Sequence, residues 1–401
     1  MIRSTRREPS DYDSMAMSDP ASLLVVPLLM IAAALASRAT ARWVAVPVVV
    51  FELALGVVAG PDALGWVERT SFLAQLSQFG VTLLFFVAGS EIDATSLRGR
   101  TGRRAWLGWA ISICIGVGVG FVAEPGIGAL IIGICLASTA LGTLLPILRD
   151  AGDLGTPFGS AVGAVGTVGE FGPIIAISVF LGTRSPGMST VVLVVFAVIA
   201  LAAILHAQRR PHRRLHRIVE STLHTSGQFA VRCVLGILAV LVFLALQLGV
   251  DMLLGAFTAG IVWRLLMRDA DETTRRSVDA KVDALAFGFL VPVFFVYTGV
   301  KFDLRALLDA PLAFAVIPVV TVALLVIRGI PSMLAAPAGA TKRERAAVGL
   351  MGATALPIIV VATDIGVTHQ AISSTEAAVF VGAGVLSVLV FPIVAGAVRR
   401  T

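Results

Sequence analysis

Two charged side chains stand where a charge is hardest to keep. Glu170 lies in Gly163-Ala164-Val165-Gly166-Thr167-Val168-Gly169-Glu170-Phe171-Gly172-Pro173, deep in one apolar run. Arg328 lies in Val322-Ala323-Leu324-Leu325-Val326-Ile327-Arg328-Gly329-Ile330-Pro331, near the middle of another. An ionisable group in hydrocarbon is costly, and its default reading is a functional site. A buried carboxylate can hold a proton and a small cation in turn, the two competing for the same oxygens. The other reading is a static Glu170–Arg328 pair that fixes helix packing, and such a pair need not add stability. The two readings are compatible, with Arg328 holding Glu170 while no cation is bound. Hydroxyl groups and prolines accompany the charges. Ser138-Thr139-Ala140-Leu141-Gly142-Thr143-Leu144-Leu145-Pro146 and Gly352-Ala353-Thr354-Ala355-Leu356-Pro357 each interrupt an apolar run with a threonine followed by a proline. Ser138, Thr139 and Thr354 are therefore candidate cation ligands through hydroxyls or nearby carbonyls. The plainer alternative is that they bond the carbonyl four residues back in their own helix.

The elements that must carry these residues are membrane spans. Of 401 residues, 57% are hydrophobic and 14% charged, and the mean hydropathy is +0.93. Soluble domains average about 25% charged residues. A span needs roughly 20 apolar residues, and long continuous runs indicate helices rather than an outer-membrane barrel. Thirteen segments can be drawn, at 21–37, 43–59, 71–90, 105–123, 128–149, 157–181, 188–207, 229–249, 252–267, 284–300, 312–335, 345–366 and 375–397. Residues 1–20 form a polar tail without the cleavable apolar core of a signal peptide, and Met15 or Met17 is an alternative start.

Charge distribution orients the chain. The odd-numbered connections and the C-terminus hold 22 Lys and Arg residues and the even ones four: Arg69, Arg184, Lys301 and Arg305. Positive residues stay on the cytoplasmic side, so the N-terminus is expected outside and the C-terminus in the cytoplasm, with an odd number of spans. The net charge of +6 resides in these loops and does not point to nucleic acid. His206, His212, His216 and His224 fall in the most basic loop and read as part of a solvated, orienting segment. Cys114, Cys135 and Cys233 have no metal-ligand spacing and read as packing residues. Gly116-Val117-Gly118-Val119-Gly120 and the glycines of 163–169 lack the strand and lysine of a phosphate cradle, and close helix packing explains them. Glu52 in the second segment is a further carboxylate, for which a structural role is the plainer reading. Glu91 and Asp93 sit at a helix end beside Arg98 and Arg100 and read as an interfacial structural group. Asp364 reads as solvated near the end of the twelfth segment. No nucleophile has a neighbouring base and no sizeable soluble domain is present, which excludes an enzyme, and no cofactor is implied.

The halves look alike. With 188–228 as linker helix and basic loop, segments one to six (21–187) pair with eight to thirteen (229–398), and both interrupted helices are fifth in their repeat. Matching Gly/Pro-interrupted helices point to an inverted-repeat transporter.

Three further stretches carry a family resemblance. Val46-Pro47-Val48-Val49-Val50-Phe51-Glu52-Leu53-Ala54-Leu55-Gly56-Val57-Val58-Ala59-Gly60-Pro61 ends in Gly-Pro; Gly80-Val81-Thr82-Leu83-Leu84-Phe85-Phe86-Val87-Ala88-Gly89-Ser90-Glu91-Ile92-Asp93 follows; Pro292-Val293-Phe294-Phe295-Val296-Tyr297-Thr298-Gly299-Val300-Lys301-Phe302-Asp303-Leu304 comes after the linker. Over about residues 20–398 the chain resembles the bacterial cation:proton antiporter 2 family of sodium/proton and potassium/proton exchangers. The resemblance implies an all-α membrane fold of about 13 helices, with a dimerisation domain facing a mobile core that holds two crossed, partly unwound helices around Thr139 and Thr354. It implies Na⁺ or K⁺ and H⁺ as transported ions, a homodimer in the bacterial inner membrane, and a basic partner for the core carboxylate at Arg328. Relatives often carry two adjacent acidic or amide-acid residues, where this chain has Gly169-Glu170. One carboxylate in place of two suggests electroneutral 1:1 exchange. A nucleotide-binding tail like that of the potassium-efflux members is not expected after residue 401. The alternatives are an organic-anion carrier or symporter with Arg328 as the anion's partner, and a membrane sensor without transport.

Overall fold

The computed structural model describes residues 20–41, 46–91, 99–180, 228–268 and 270–400, with isolated positions between 191 and 219. The tail, Arg42, Asp93, Arg98, Arg184, the four loop histidines and most of the seventh expected segment lie outside the described residues. Among those described, the chain is helical, without strands. Its helices are α1 (Pro20–Thr40), α2 (Val48–Ala59), α3 (Ser71–Glu91), α4 (Gly99–Ala123), α5 (Ile127–Leu136), α6 (Leu141–Asp150) and α7 (Pro157–Phe180). After the linker come α8 (Phe229–Leu248), α9 (Met252–Leu266), α10 (Glu272–Lys301), α11 (Leu304–Leu308), α12 (Pro311–Ala335), α13 (Lys342–Gly352), α14 (Pro357–Thr368) and α15 (Ser374–Arg400).

Among the described residues, ten helical stretches are long and apolar enough to cross a membrane, with α5–α6 and α13–α14 each counted as one stretch, and α2 and α9 are shorter apolar helices. These twelve match twelve of the thirteen expected segments in order. The boundaries differ where charge misled. Arg275, Arg276 and Lys281 were expected in a connection, but they belong to the first half of α10, whose start is capped by the Asp271 carboxylate accepting from Thr274 N–H at 2.8 Å. Likewise Lys342, Arg343 and Arg345 open α13 behind a reciprocal Thr341–Glu344 cap. Capping groups satisfy the orphan amides of a first turn, so a charged stretch can be helical before it reaches hydrocarbon.

The helices pack as two bundles. In the first, α2 and α3 pack on α10, α9 packs on α3, and α1 and α8 flank them. Gly56 and Gly299 set the close approach of α2 to α10: a Cβ on Gly56 would collide with the Val296 carbonyl oxygen, and one on Gly299 with that of Leu53. Backbone touches backbone there, as small residues permit in membrane helices. The second bundle contains α4, α5–α6, α7, α12, α13–α14 and α15. It is tied at one end by Arg399 of α15, which pairs with Asp153 and lies 3.8 Å over the Phe158 ring.

A side-chain contact joins the bundles. Phe171 of α7 stacks on Phe257 of α9, with centroids 5.2 Å apart and planes 16° from parallel. Elsewhere the bundles part around a cavity of about 360 Å³, lined by Ser77, Gln78, Asp251, Thr298, Lys301 and Asp364 among others. Lys301 of α10 and Asp364 of α14 form an ion pair across it. Asp364 is half-exposed, as expected for a solvated group, and it also faces this cavity.

Candidate functional site

The two interrupted helices are broken and cross each other. The first break spans Ala137–Ala140, between α5 and α6, and the second Ala353–Leu356, between α13 and α14. The amide of Ala140 donates to the carbonyl of Thr354 at 2.8 Å, joining one break to the other. Pro146 does not cause the first break, contrary to the pattern that paired it with Pro357. It lies inside α6, whereas Pro357 occupies the first turn of α14, where a missing N–H costs little. The Thr139–Thr354 correspondence holds, because each threonine sits within its break.

A proline in a different helix helps hold the first break open. Pro173 of α7 has no N–H, so it cannot bond the carbonyl four residues back, that of Gly169. That carbonyl accepts instead from the Thr139 amide at 2.9 Å. Amides that would extend α5 into α6 are thus satisfied from outside, as buried peptide groups must be.

Glu170 lies beside this junction, near the middle of α7 and 1% exposed. Its Oε2 has no hydrogen-bond partner, and the Leu141 amide at the start of α6 interacts with the carboxyl group. The positive end of a half-helix therefore faces it. Glu91, at the far end of α3 in the other bundle, adds like charge in its surroundings.

The expected ion pair with Arg328 is not formed. Arg328 is fully buried, on a π turn (Leu325–Gly329) within α12. Its Nε donates to Thr139 Oγ1 and its Nη2 to the Val165 carbonyl, each at 2.9 Å, while Nη1 is without a partner. A π turn adds a residue to the helical repeat and redirects the side chains after it, and such turns are frequent at functional sites. The guanidinium is thus held by two neutral oxygens, those of Thr139 and Val165, and its Nη2 lies against Gly169, the residue before Glu170.

The hydroxyls divide. Ser138 donates to Cys135 O at 2.8 Å and Thr354 to Leu350 O at 3.2 Å, the local bonding that hydroxyls commonly make in helices. Thr139 reaches across instead and donates to Gly352 O at 2.6 Å. Glu170, Ser138, Thr139, Thr354 and Arg328 are all buried around the crossing. Glu52 is buried on α2 of the other bundle, away from it.

Sequence reading missed Ser387. It is fully buried on α15, accepts from the Ala355 amide at 3.0 Å and lies 2.9 Å from the Ala355 carbonyl, so it satisfies the second break. A lone serine in an apolar helix carries no distinguishing signal. Ser387→Ala leaves the buried Ala355 N–H without an acceptor, which should cost about 1–3 kcal/mol and lower the melting temperature of the detergent-purified protein.

Two crossed broken helices around a buried carboxylate are the arrangement of the sodium/proton antiporter fold. The chain belongs to the transmembrane sodium/hydrogen exchanger family, whose model matches residues 28–399. It is 28% identical to YjbQ of Bacillus subtilis, named as a candidate Na⁺/H⁺ antiporter, over 94% of this chain and 63% of that one. It is 29% identical to the Na⁺/H⁺-K⁺ antiporter GerN of Bacillus cereus, over 64% of this chain and 65% of that one. The chain thus spans just under two thirds of the length of these relatives. In fold it is similar to the sodium proton antiporter MjNhaP1 of Methanocaldococcus jannaschii, with a TM-score of 0.65 over 94% of this chain and 96% of that one, at 16% identity.

Proposed function

We propose that the chain is a secondary active antiporter exchanging a monovalent cation, Na⁺ or K⁺, for H⁺ at Glu170. The observation that carries this reading is a fully enclosed carboxyl group with one oxygen unpartnered, beside two broken helices and without an ion pair to Arg328. A dehydrated cation or a proton can neutralise it, and only one of them at a time. Carbonyl-bearing ends of α5 and α13 and the hydroxyls of Thr139, Thr354 and Ser138 supply further oxygens near the crossing. Names of the relatives support the choice of ions.

The bundle holding the crossing is read as the mobile part, moving against the α1–α3 and α8–α10 bundle in an elevator-type cycle. The inverted halves, 21–187 and 229–398, are read as the two repeats. The charge distribution supports an N-terminus outside and a C-terminus in the cytoplasm of a bacterial inner membrane, and a homodimer is the assembly proposed. The organic-anion alternative has less support, because Arg328 is fully buried and two of its nitrogens already serve protein oxygens.

Everted vesicles with a pH-sensitive dye test the reading. An imposed proton gradient should dissipate on adding Na⁺ or K⁺. Because proton and cation share one carboxyl, the half-saturating cation concentration should rise as pH falls, approaching about tenfold per pH unit once the proton dominates. Absence of a response to any monovalent cation at any pH excludes the proposal.

A further inference from the structure

Gly169 is the position where the site has least room. A Cβ built there would lie 2.5 Å from Arg328 Nη2 and 2.6 Å from Thr139 Cβ, and would also collide with Thr139 Oγ1. The backbone of the same residue already receives the Thr139 amide. Two independent contacts thus converge on a residue without a side chain.

We infer that Gly169 and Arg328 act as one unit, in which the space left by the missing side chain seats the guanidinium and the guanidinium positions Thr139 for exchange at Glu170. This rests on the antiporter reading. The reasoning starts from the hydroxyl, which has one proton and two acceptor sites. Arg328 Nε–H occupies one acceptor site, and the proton goes to Gly352 O. One acceptor site remains, with its direction set by the other two bonds. Without Arg328 the hydroxyl is free to rotate and its proton can point toward an incoming cation. Arginine suits the task because it stays protonated and cannot accept a hydrogen bond. The same charge balances Glu170: guanidinium plus carboxylate is neutral, and adding either one proton or one monovalent cation gives the same net charge. The two loaded forms are therefore electrically equivalent.

Both residues are positioning residues, and the full chain in proteoliposomes tests them. Gly169→Ala should raise the half-saturating Na⁺ or K⁺ concentration about tenfold or more, by evicting the guanidinium or twisting Thr139. Arg328→Lys deletes Nη2 and so relieves the contact on the guanidinium side, while the contact of the new methyl with Thr139 remains. The double variant Gly169→Ala/Arg328→Lys should accordingly recover affinity relative to Gly169→Ala alone. A purely structural role would reduce the amount of folded protein and the maximal rate while leaving half-saturation unmoved. A Gly169→Ala protein with unchanged half-saturation, or a double variant no better than the single, overturns the inference. Should the wild-type protein exchange no cation, the antiporter reading fails separately. The pairing is then judged from the melting temperatures of the four proteins: a double variant more stable than additivity supports the shared space, and strict additivity overturns it.

Discussion

Replacing Glu170 with glutamine should abolish cation-coupled proton movement while leaving the protein folded in the membrane. The fold should survive because the carboxylate has little structural duty: Oε2 has no partner, and glutamine keeps an oxygen for the Leu141 amide to approach. Exchange should not survive, because an amide neither releases a proton at physiological pH nor supplies negative charge to a dehydrated ion. A unit charge at 4 Å is worth about 4 kcal/mol at an effective dielectric of about 20. Losing it weakens the affinity for the cation about a thousandfold. In the vesicle assay the variant should be indistinguishable from membranes lacking the protein. Wild-type exchange by a verified, folded Glu170→Gln protein would remove Glu170 from the mechanism and place the exchanging group elsewhere in the chain.

Tethering Lys301 to Asp364 should stop transport reversibly. Their side chains pair across the cavity between the bundles, so replacing both with cysteine puts two thiols on opposite sides of the proposed sliding boundary. A lysine spans farther than a cysteine, and a direct disulfide requires Cα atoms within about 7 Å. A short bis-methanethiosulfonate reagent is therefore the suitable tether. The native pair is no such lock: both side chains are about half exposed, and exposed pairs are typically worth only about 0–1 kcal/mol. The untethered double cysteine variant should transport near the wild-type rate, lose exchange on tethering and regain it with dithiothreitol. Full exchange by quantitatively tethered protein would show that the two bundles move as one body, and the elevator proposal would fall.

Much of this architecture was legible in the residues. Apolar runs of span length located twelve described helices or broken helical pairs, and Glu170 and Arg328 stood out because charge in hydrocarbon is rare. The threonines at both breaks were identified, while the reason for the first break was misplaced. Pro146 is nearby in sequence, but the relevant proline is Pro173 on the neighbouring helix, which frees the Gly169 carbonyl for Thr139. Local spacing does not reveal which distant amide will use a freed carbonyl. Arg328 was assigned to Glu170 because opposite charges at similar depth invite pairing. Helix rotation decided otherwise, and a π turn cannot be read from hydrophobic pattern alone. Ser387 and the occupied space at Gly169 were invisible for a related reason: each has meaning only through a partner brought close by the crossing.

The Gly56–Gly299 contact has a mechanical consequence. Helices joined backbone to backbone have no compliant layer between them, so α2 and α10 can shift only by separating. In the proposed cycle that half would serve as the frame. At its border Phe171 and Phe257 meet face to face, nearly parallel. Flat rings do not interlock as ridges and grooves do, so they can shear past one another at low cost. The stack next to Glu170 thus has the form of a bearing, and bulky β-branched replacements there should act as friction, slowing turnover more than they weaken ion binding.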